Sequence, residues 1–317
     1  NVLRGTEHVK LPLYVSIITT IVNAFADYGL IFGAFGMPRL GVEGAALATC
    51  ISSWLGPVLI LIFSLIEKNM LSGPIAELFD FTWKDIGSFY SRALPVTMNE
   101  GLWALGILTL NRIYANIGYE YYAGMTIFKT FSELAFAFFV GLGNACVIMV
   151  GKSIGQGKIA RGITDARRFS VLVPLLGLVI GLLMIAARHP LVALFATGDN
   201  LSATTIATAY SVTIFCSLEY CFRNISYVQV VGAFRSGGDT LTGMLFDLCS
   251  LWLISIPLAL LAANVLHLPF IGVVVFAYLG EDIPKCILCI CHFVSMRWLK
   301  PVTPEGQDGL RKYREQK

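Results

Sequence analysis

Long apolar runs, broken by short turns of Gly, Pro and charged residues, fill nearly the whole chain. They fall at about 11–35, 42–66, 94–117, 122–150, 169–187, 204–233, 243–264 and 270–296. Each has the length a helix needs to cross a hydrocarbon core, roughly 20 residues at 1.5 Å per residue. The pattern predicts an all-α polytopic membrane bundle of eight transmembrane helices. Pro57, Pro174, Pro257 and Pro284 fall inside these runs, where membranes tolerate kinks that packing can satisfy.

Composition agrees with this pattern. Of 317 residues, 56% are hydrophobic and 14% charged, against about 25% charged in soluble domains, and the mean hydropathy is +0.73. Most of the eight cysteines lie within apolar runs and read as small buried hydrophobes, not as a disulfide framework. No extramembrane stretch is long enough for a nucleotide domain, and no nucleophile, base and orienting partner share one face. Both observations argue against an ATP-driven pump and against an intramembrane enzyme, and nothing points to nucleic acid.

Charge sets the expected orientation. If the connections alternate between two sides, one side collects 17 of the 23 basic residues, the other only Arg39 and Arg188, and Arg112, Lys129, Arg223 and Lys285 stay inside runs. The positive-inside rule then places both ends of the chain in the cytoplasm, as an even helix count requires. The expected location is the cell membrane, multi-pass.

An offset of 231 residues aligns Arg4 with Arg235, Pro38 with Pro269, Gly41 with Gly272 and Val42 with Val273. Such internal repeats are common in secondary transporters, whose sites lie between the halves. The repeat divides the chain into residues 1–66, the last two helices of an N-terminal lobe; 67–92, a cytoplasmic linker with an amphipathic helix; 93–300, a complete six-helix C-terminal lobe; and 301–317, a polar tail expected to be disordered. About four helices are then expected upstream of Asn1, and no signal peptide is expected at this start.

The chemistry is sought in ionisable residues within the runs. Glu100 lies about 10 Å inside the third, where a charge costs about 2.5 to 3.5 kcal/mol on insertion scales. At 100° per residue Trp103, Ile107, Asn111 and Tyr114 fall within about 60° of it, a stripe expected to face a protein-lined cavity. No base sits three or four positions away on the same helix, so the acid could exchange a proton or accept a metal cation. The plainer alternative is an acid protonated for good or paired across helices.

Lys129 and Glu133, and Glu219 and Arg223, are each four apart and can neutralise one another along a face. Glu219 shares its stripe with Thr208, Arg223 and Ser226 and is favoured for the cavity. Asp27, four residues after Asn23, lacks a nearby base and is a further candidate. Glu281, Asp282 and Lys285 read as mainly structural, and Asp247 lies near a helix end. Gly151-Lys152-Ser153 ends like a phosphate-binding loop, but Cys146 stands where a glycine is required. Cys286, Cys289, Cys291 and His292 spread over more than one helical face, which argues against a metal site.

Several short motifs together resemble the MATE (multidrug and toxic compound extrusion) transporters, in particular the last eight of their twelve helices. They are Arg4-Gly5-Thr6, Asn23, Leu30-Ile31-Phe32-Gly33, Gly41-Val42-Glu43-Gly44-Ala45-Ala46-Leu47-Ala48-Thr49, Leu94-Pro95, Asn99-Glu100-Gly101-Leu102-Trp103, Gly151-Lys152-Ser153-Ile154-Gly155-Gln156-Gly157 and Arg235-Ser236-Gly237-Gly238-Asp239-Thr240. The resemblance implies a two-lobed bundle that exports organic cations or other amphipathic compounds in exchange for Na⁺ or H⁺. Within it Glu100 matches the acid of the seventh helix. Glu219 matches that of the tenth, where many bacterial relatives have Asp, a departure that bears on any Na⁺ geometry.

The resulting expectation is an antiporter working by alternating access. Glu100 and Glu219, with Trp103, Asn111 and Tyr114, would bind either a coupling cation, Na⁺ among them, or a cationic drug, and competition would couple the two. Asp27, Lys129, Glu133 and Arg223 are secondary candidates. No cofactor beyond the coupling ion is expected, and the full-length protein is expected to be monomeric in the lipid bilayer. Two alternatives stand beside this one: a lipid-linked oligosaccharide flippase, which calls for a more basic cavity, and a non-transporting membrane remnant or scaffold.

Overall fold

The computed structural model describes residues 10–67, 81–195 and 201–316. Residues 1–87 and 88–317 form two compact units, and among the described residues every long element is a helix.

The first unit contains an antiparallel pair. Helix α1 spans Lys10–Phe32 and α2 spans Val42–Glu67. Ala26, Leu30 and Ala48 pack around Met37 beside the turn, while Leu11 and Val15 meet Leu59, Ile60 and Phe63 at the open end. The Leu30 carbonyl, orphaned at the end of α1, accepts from the Leu40 amide at 2.8 Å and so closes the turn. Asn23 Nδ2 and Asp27 Oδ1 are buried on α1 without a hydrogen-bond partner.

The second unit is built on six long helices. Helix α3 (Trp83–Ile117) enters from the first unit, followed by α4 (Tyr119–Gly155) and α5 (Ile159–Ala186); a short helix Arg188–Ala193 precedes α6 (Ala203–Tyr227), which continues through a π-helical stretch Val228–Phe234 into Arg235–Gly237. Helix α7 covers Thr240–Asn264 and is itself π-helical over Ser250–Ser255, so that Pro257 falls in the first turn of the α-helical part that follows. Helix α8 (Phe270–Val294) completes the set, and a terminal helix α9 spans Pro304–Glu315.

Five of these helices, α1, α2, α4, α5 and α7, are long and apolar enough to cross a membrane. Helices α3, α6 and α8 carry Glu100, Glu219 with Arg223, and Glu281 with Asp282 and Lys285. Close approach between helices rests on small residues, as is usual where lipid removes the hydrophobic drive for association. At Gly181 of α5 a Cβ would collide with the Ser217 carbonyl of α6.

The core of the second unit is two apolar layers. One gathers Tyr114, Phe128, Phe131, Cys216, Leu251, Phe270 and Ala277; the other gathers Phe139, Cys146, Ile159, Tyr220, Phe234, Cys289 and Trp298. On α4, α6 and α8 the first layer ends at Phe131, Cys216 and Ala277, and the second begins at Phe139, Tyr220 and Cys289. Between them lie the buried polar residues Ser132, Ser217, Glu219, Asp282 and Lys285.

Two expectations fail here. The tail is ordered: Thr303 caps α9 by accepting from the Gly306 amide at 3.2 Å and donates to the Gly155 carbonyl at 2.8 Å, while Leu310 and Tyr313 pack on the second layer. A polar composition hid a capped helix with two apolar residues three apart on one face. The separate linker helix is also corrected from Trp83 onward, since residues 83–92 are the first turns of α3. Residues 68–80 of that linker lie outside the described residues.

Candidate functional site

The belt between the two layers is an ionisable network. Lys285 on α8 is buried, and its ammonium lies 3.0 Å from Glu281 Oε1, 3.7 Å from Asp282 Oδ1 and 3.7 Å from Asp247 Oδ1. Asp247 comes from α7 and also accepts from Asn99 Nδ2 of α3 at 3.4 Å. Glu219 on α6 is 3% exposed, and its Oε1 and the Asp282 Oδ1 find no donor. Arg223, one turn beyond Glu219, stacks on the Phe136 ring at 4.6 Å.

Four acids, Asp247, Glu219, Glu281 and Asp282, thus meet two bases, Arg223 and Lys285. Burying unpaired charge is costly, so such an imbalance calls for a proton or a cation. Glu281 and Asp282 pair with Lys285 along α8 as their spacing predicts, and Asp247, read only as lying near a helix end, joins them across helices. Only the cross-helix geometry reveals this, because Asp247 and Lys285 lie 38 positions apart in the chain.

Glu100 follows the plainer alternative, pairing across helices. It is not an unpaired acid: its side chain is 59% exposed and accepts from Arg235 Nη2 at 2.7 Å. The buried stripe of α3 instead runs through Asn99, Leu110, Ile113 and Tyr114, with Gly106 against Leu251. Trp103 is exposed and Asn111 half-buried. Of the expected set, Asn111 and Tyr114 are joined by Lys129 of α4: its ammonium donates to Asn111 Oδ1 and lies 5.9 Å from the ring centres of both Tyr114 and Tyr122. Lys129 therefore turns to Asn111 instead of closing on Glu133, which stays exposed one turn away. Glu219 Oε1 likewise finds no hydrogen-bond partner, where spacing along α6 suggested Arg223.

A second polar cluster lies where α6 turns into α7. Gly238, in the left-handed region at φ 92°, lets the chain turn and form a single antiparallel bridge to Leu299. Asp239 follows, almost fully buried, and accepts from Lys300 Nζ and Thr242 Oγ1 and pairs with His292 Nε2, each at 2.8 Å. Burial alone would push its carboxyl up; the hydrogen bonds from Lys300, Thr242 and His292 outweigh that and hold it below its ordinary value of 3.8. His292 is thus engaged with Asp239, and among the described residues no group of three or more His, Cys, Asp or Glu side chains is arranged to hold a metal ion.

The model of the MatE family matches residues 95–261, the stretch that supplies Asn99, Glu100, Glu219, Arg235 and Asp247. A protein of Thermotoga maritima described as "Probable multidrug resistance protein NorM" is 25% identical over 300 residues, 94% of this chain and 62% of that protein. Multidrug resistance protein NorM of Burkholderia vietnamiensis is 30% identical over 261 residues, 77% of this chain and 53% of that protein. The chain therefore spans less than two thirds of the length of these relatives. A mutant of the Vibrio cholerae MATE transporter VcmN shares the fold, with a TM-score of 0.75 at 17% identity over 98% of this chain and 65% of that one. A family match over more than half of the sequence, on a bundle with the same fold, makes this chain a member of the MatE family of membrane proteins.

Proposed function

We propose that this protein, at its natural full length, is a secondary active transporter that exports cationic or amphipathic small molecules in exchange for H⁺ or Na⁺ by alternating access. One observation carries the reading: an acid-rich belt sealed between two apolar layers of a membrane bundle. Intramembrane carboxylates are expensive, and where they persist they mark ion or substrate pathways. Glu219 and Asp282 form the candidate exchange site. Lys285 and Arg223 offset part of the acidic charge, and the Tyr114, Tyr122 and Lys129 group provides an aromatic surface on the side of the first layer.

In this scheme the coupling cation and the cargo bind mutually exclusively, and each favours a different arrangement of the bundle. Each can shift the balance only by its difference in affinity for the two arrangements. The basic connections are assigned to the cytoplasm, with both ends of the chain on that side. The relatives described as multidrug resistance proteins suggest drug-like cargo. A flippase for lipid-linked oligosaccharides would call for a basic cavity, whereas acids outnumber bases in this belt.

The test is ethidium efflux from cells that express the full-length protein. Glu219→Gln and Asp282→Asn should each cut efflux at least tenfold at unchanged membrane abundance. Wild-type efflux in both variants would overturn the proposal.

A further inference from the structure

Lys129 carries an ammonium into the first layer without an acid to meet it. Among the described residues it hydrogen-bonds to Asn111 Oδ1, and no carboxylate lies in ion-pair range of it. Glu133, four positions on, is exposed and lies behind it: helical side chains lean toward the N-terminus, so Lys129 reaches back over Tyr122 and away from Glu133. Snorkelling to an interface is also out of reach, because ten residues of α4 precede Lys129, about 15 Å of helix. An ammonium at that depth is costly in lipid, which turns this face of α4 toward protein or water. The Tyr114 and Tyr122 rings stand 5.9 Å away, at the outer edge of cation–π attraction, and offset only part of the charge. Of the three N–H donors of the ammonium, Asn111 takes one. Two remain.

We infer that Lys129 receives an anionic group of the cargo, a carboxylate or sulfonate carried on an aromatic ring. The ammonium supplies its two free donors, and the bond to Asn111 fixes its position. Flat apolar surface is supplied by Tyr122 beside it and by Tyr121, which is 38% exposed and stacks on Phe270 at 5.6 Å; Phe270 in turn meets Tyr114 edge-on at 5.8 Å. The site is separate from the acidic belt but close to it. Ser132 of the belt lies three residues further along α4, about 4.5 Å of helix, and its carbonyl accepts from the Tyr220 hydroxyl at 3.1 Å. A cargo held at Lys129 by its anion therefore extends its cation toward the belt. The class this selects is zwitterionic and aromatic, with the two charges about one helical turn apart. A purely cationic cargo meets like charge at Lys129, so the lysine discriminates by repulsion as well as by attraction.

The inference rests on the transport reading above, and its test separates the two. The probes are tetramethylrhodamine and its methyl ester, which share one cationic ring system and differ only in whether a benzoate carboxylate is free or capped. Their binding to the detergent-purified full-length protein is followed by fluorescence anisotropy. The ratio of the two affinities, free acid over ester, should fall about tenfold or more in Lys129→Met, as expected for loss of a charge-assisted hydrogen bond. It should stay within about threefold of the wild type in Lys129→Arg, which keeps the charge. An unchanged ratio in Lys129→Met, equal loss of both dyes included, overturns the assignment, because a merely structural lysine would weaken both alike. A second readout needs no variant: naphthoate should displace the free acid from the wild type at a concentration about tenfold or more below that of uncharged naphthamide, and equal displacement overturns the assignment. A wild type that binds the ester and not the acid loses the inference and keeps the transport reading. Binding of neither dye also removes the inference, and ethidium efflux by the same protein then decides the transport reading by itself.

Discussion

Adjacent residues on α3 do opposite jobs. Asn99 points into the bundle and supports Asp247, while Glu100, rotated by about 100°, lies at the exposed flank and holds Arg235. The hydrophobic pattern locates an acid inside a spanning run, but a stripe 60° wide contains both inward and flanking positions. A partner 135 positions away in the chain cannot be read from spacing along one helix. The exposed pair should be weak: a double-mutant cycle on Glu100→Gln and Arg235→Gln, read from melting in detergent, should give a coupling of about 0.5 to 1 kcal/mol. Zero coupling would show that the pair contributes nothing to stability. Asp239 should matter more, because it is buried with three partners. Asp239→Asn should cost about 1 to 3 kcal/mol at neutral pH. Its carboxyl is held below 3.8 in the fold, so the stabilisation is complete above that value and fades as pH falls through the lower folded value. Melting curves of the two proteins should therefore converge only in strong acid.

At the scale of elements, what the sequence shows well is what depends on length and hydropathy. The long helices stand close to the expected runs, and Pro57, Pro174 and Pro284 sit inside α2, α5 and α8 as expected. What it hides is what depends on contact. Nothing in the residues of Val228–Phe234 or Ser250–Ser255 signals a π-helical stretch. Ser250–Ser255 begins less than one turn after Asp247 of the belt, in keeping with the tendency of π-bulges to occur at functional sites, whereas Val228–Phe234 packs in the second layer. Helix α9 was hidden because its stability comes from docking: Thr303 joins its first turn to the last carbonyls of α4, and Gly309 closes against Gly157. Thr303→Ala removes both hydrogen bonds and should cost the helix about 1 to 2 kcal/mol. Amide exchange over residues 304–315 should then accelerate roughly 5- to 30-fold while α4 to α8 keep their protection. Unchanged exchange would show that Leu310 and Tyr313 alone hold the helix.

At the scale of the second unit, the question is why a costly polar belt divides a core that would pack well without it. A buried ion pair is weak evidence for stability, since well-packed apolar residues of similar volume often serve as well or better. Its retention is better explained by use than by strength. The belt should nevertheless behave as a unit, because Lys285 is shared among three acids on two helices. Lys285→Met leaves Glu281, Asp282 and Asp247 without their common base, and the loss should be about 3 to 5 kcal/mol. Adding Glu281→Gln should recover part of it, since the second change removes an orphaned charge. The two substitutions should therefore be strongly non-additive, by about 1 to 3 kcal/mol, whereas Lys285→Met and Thr303→Ala, which share no partner, should add. Thermal melting of the three single and two double variants measures both cases. If Lys285→Met and Glu281→Gln also add, the acids are held independently, and the belt cannot pass a change at one carboxyl to the others as coupled exchange requires.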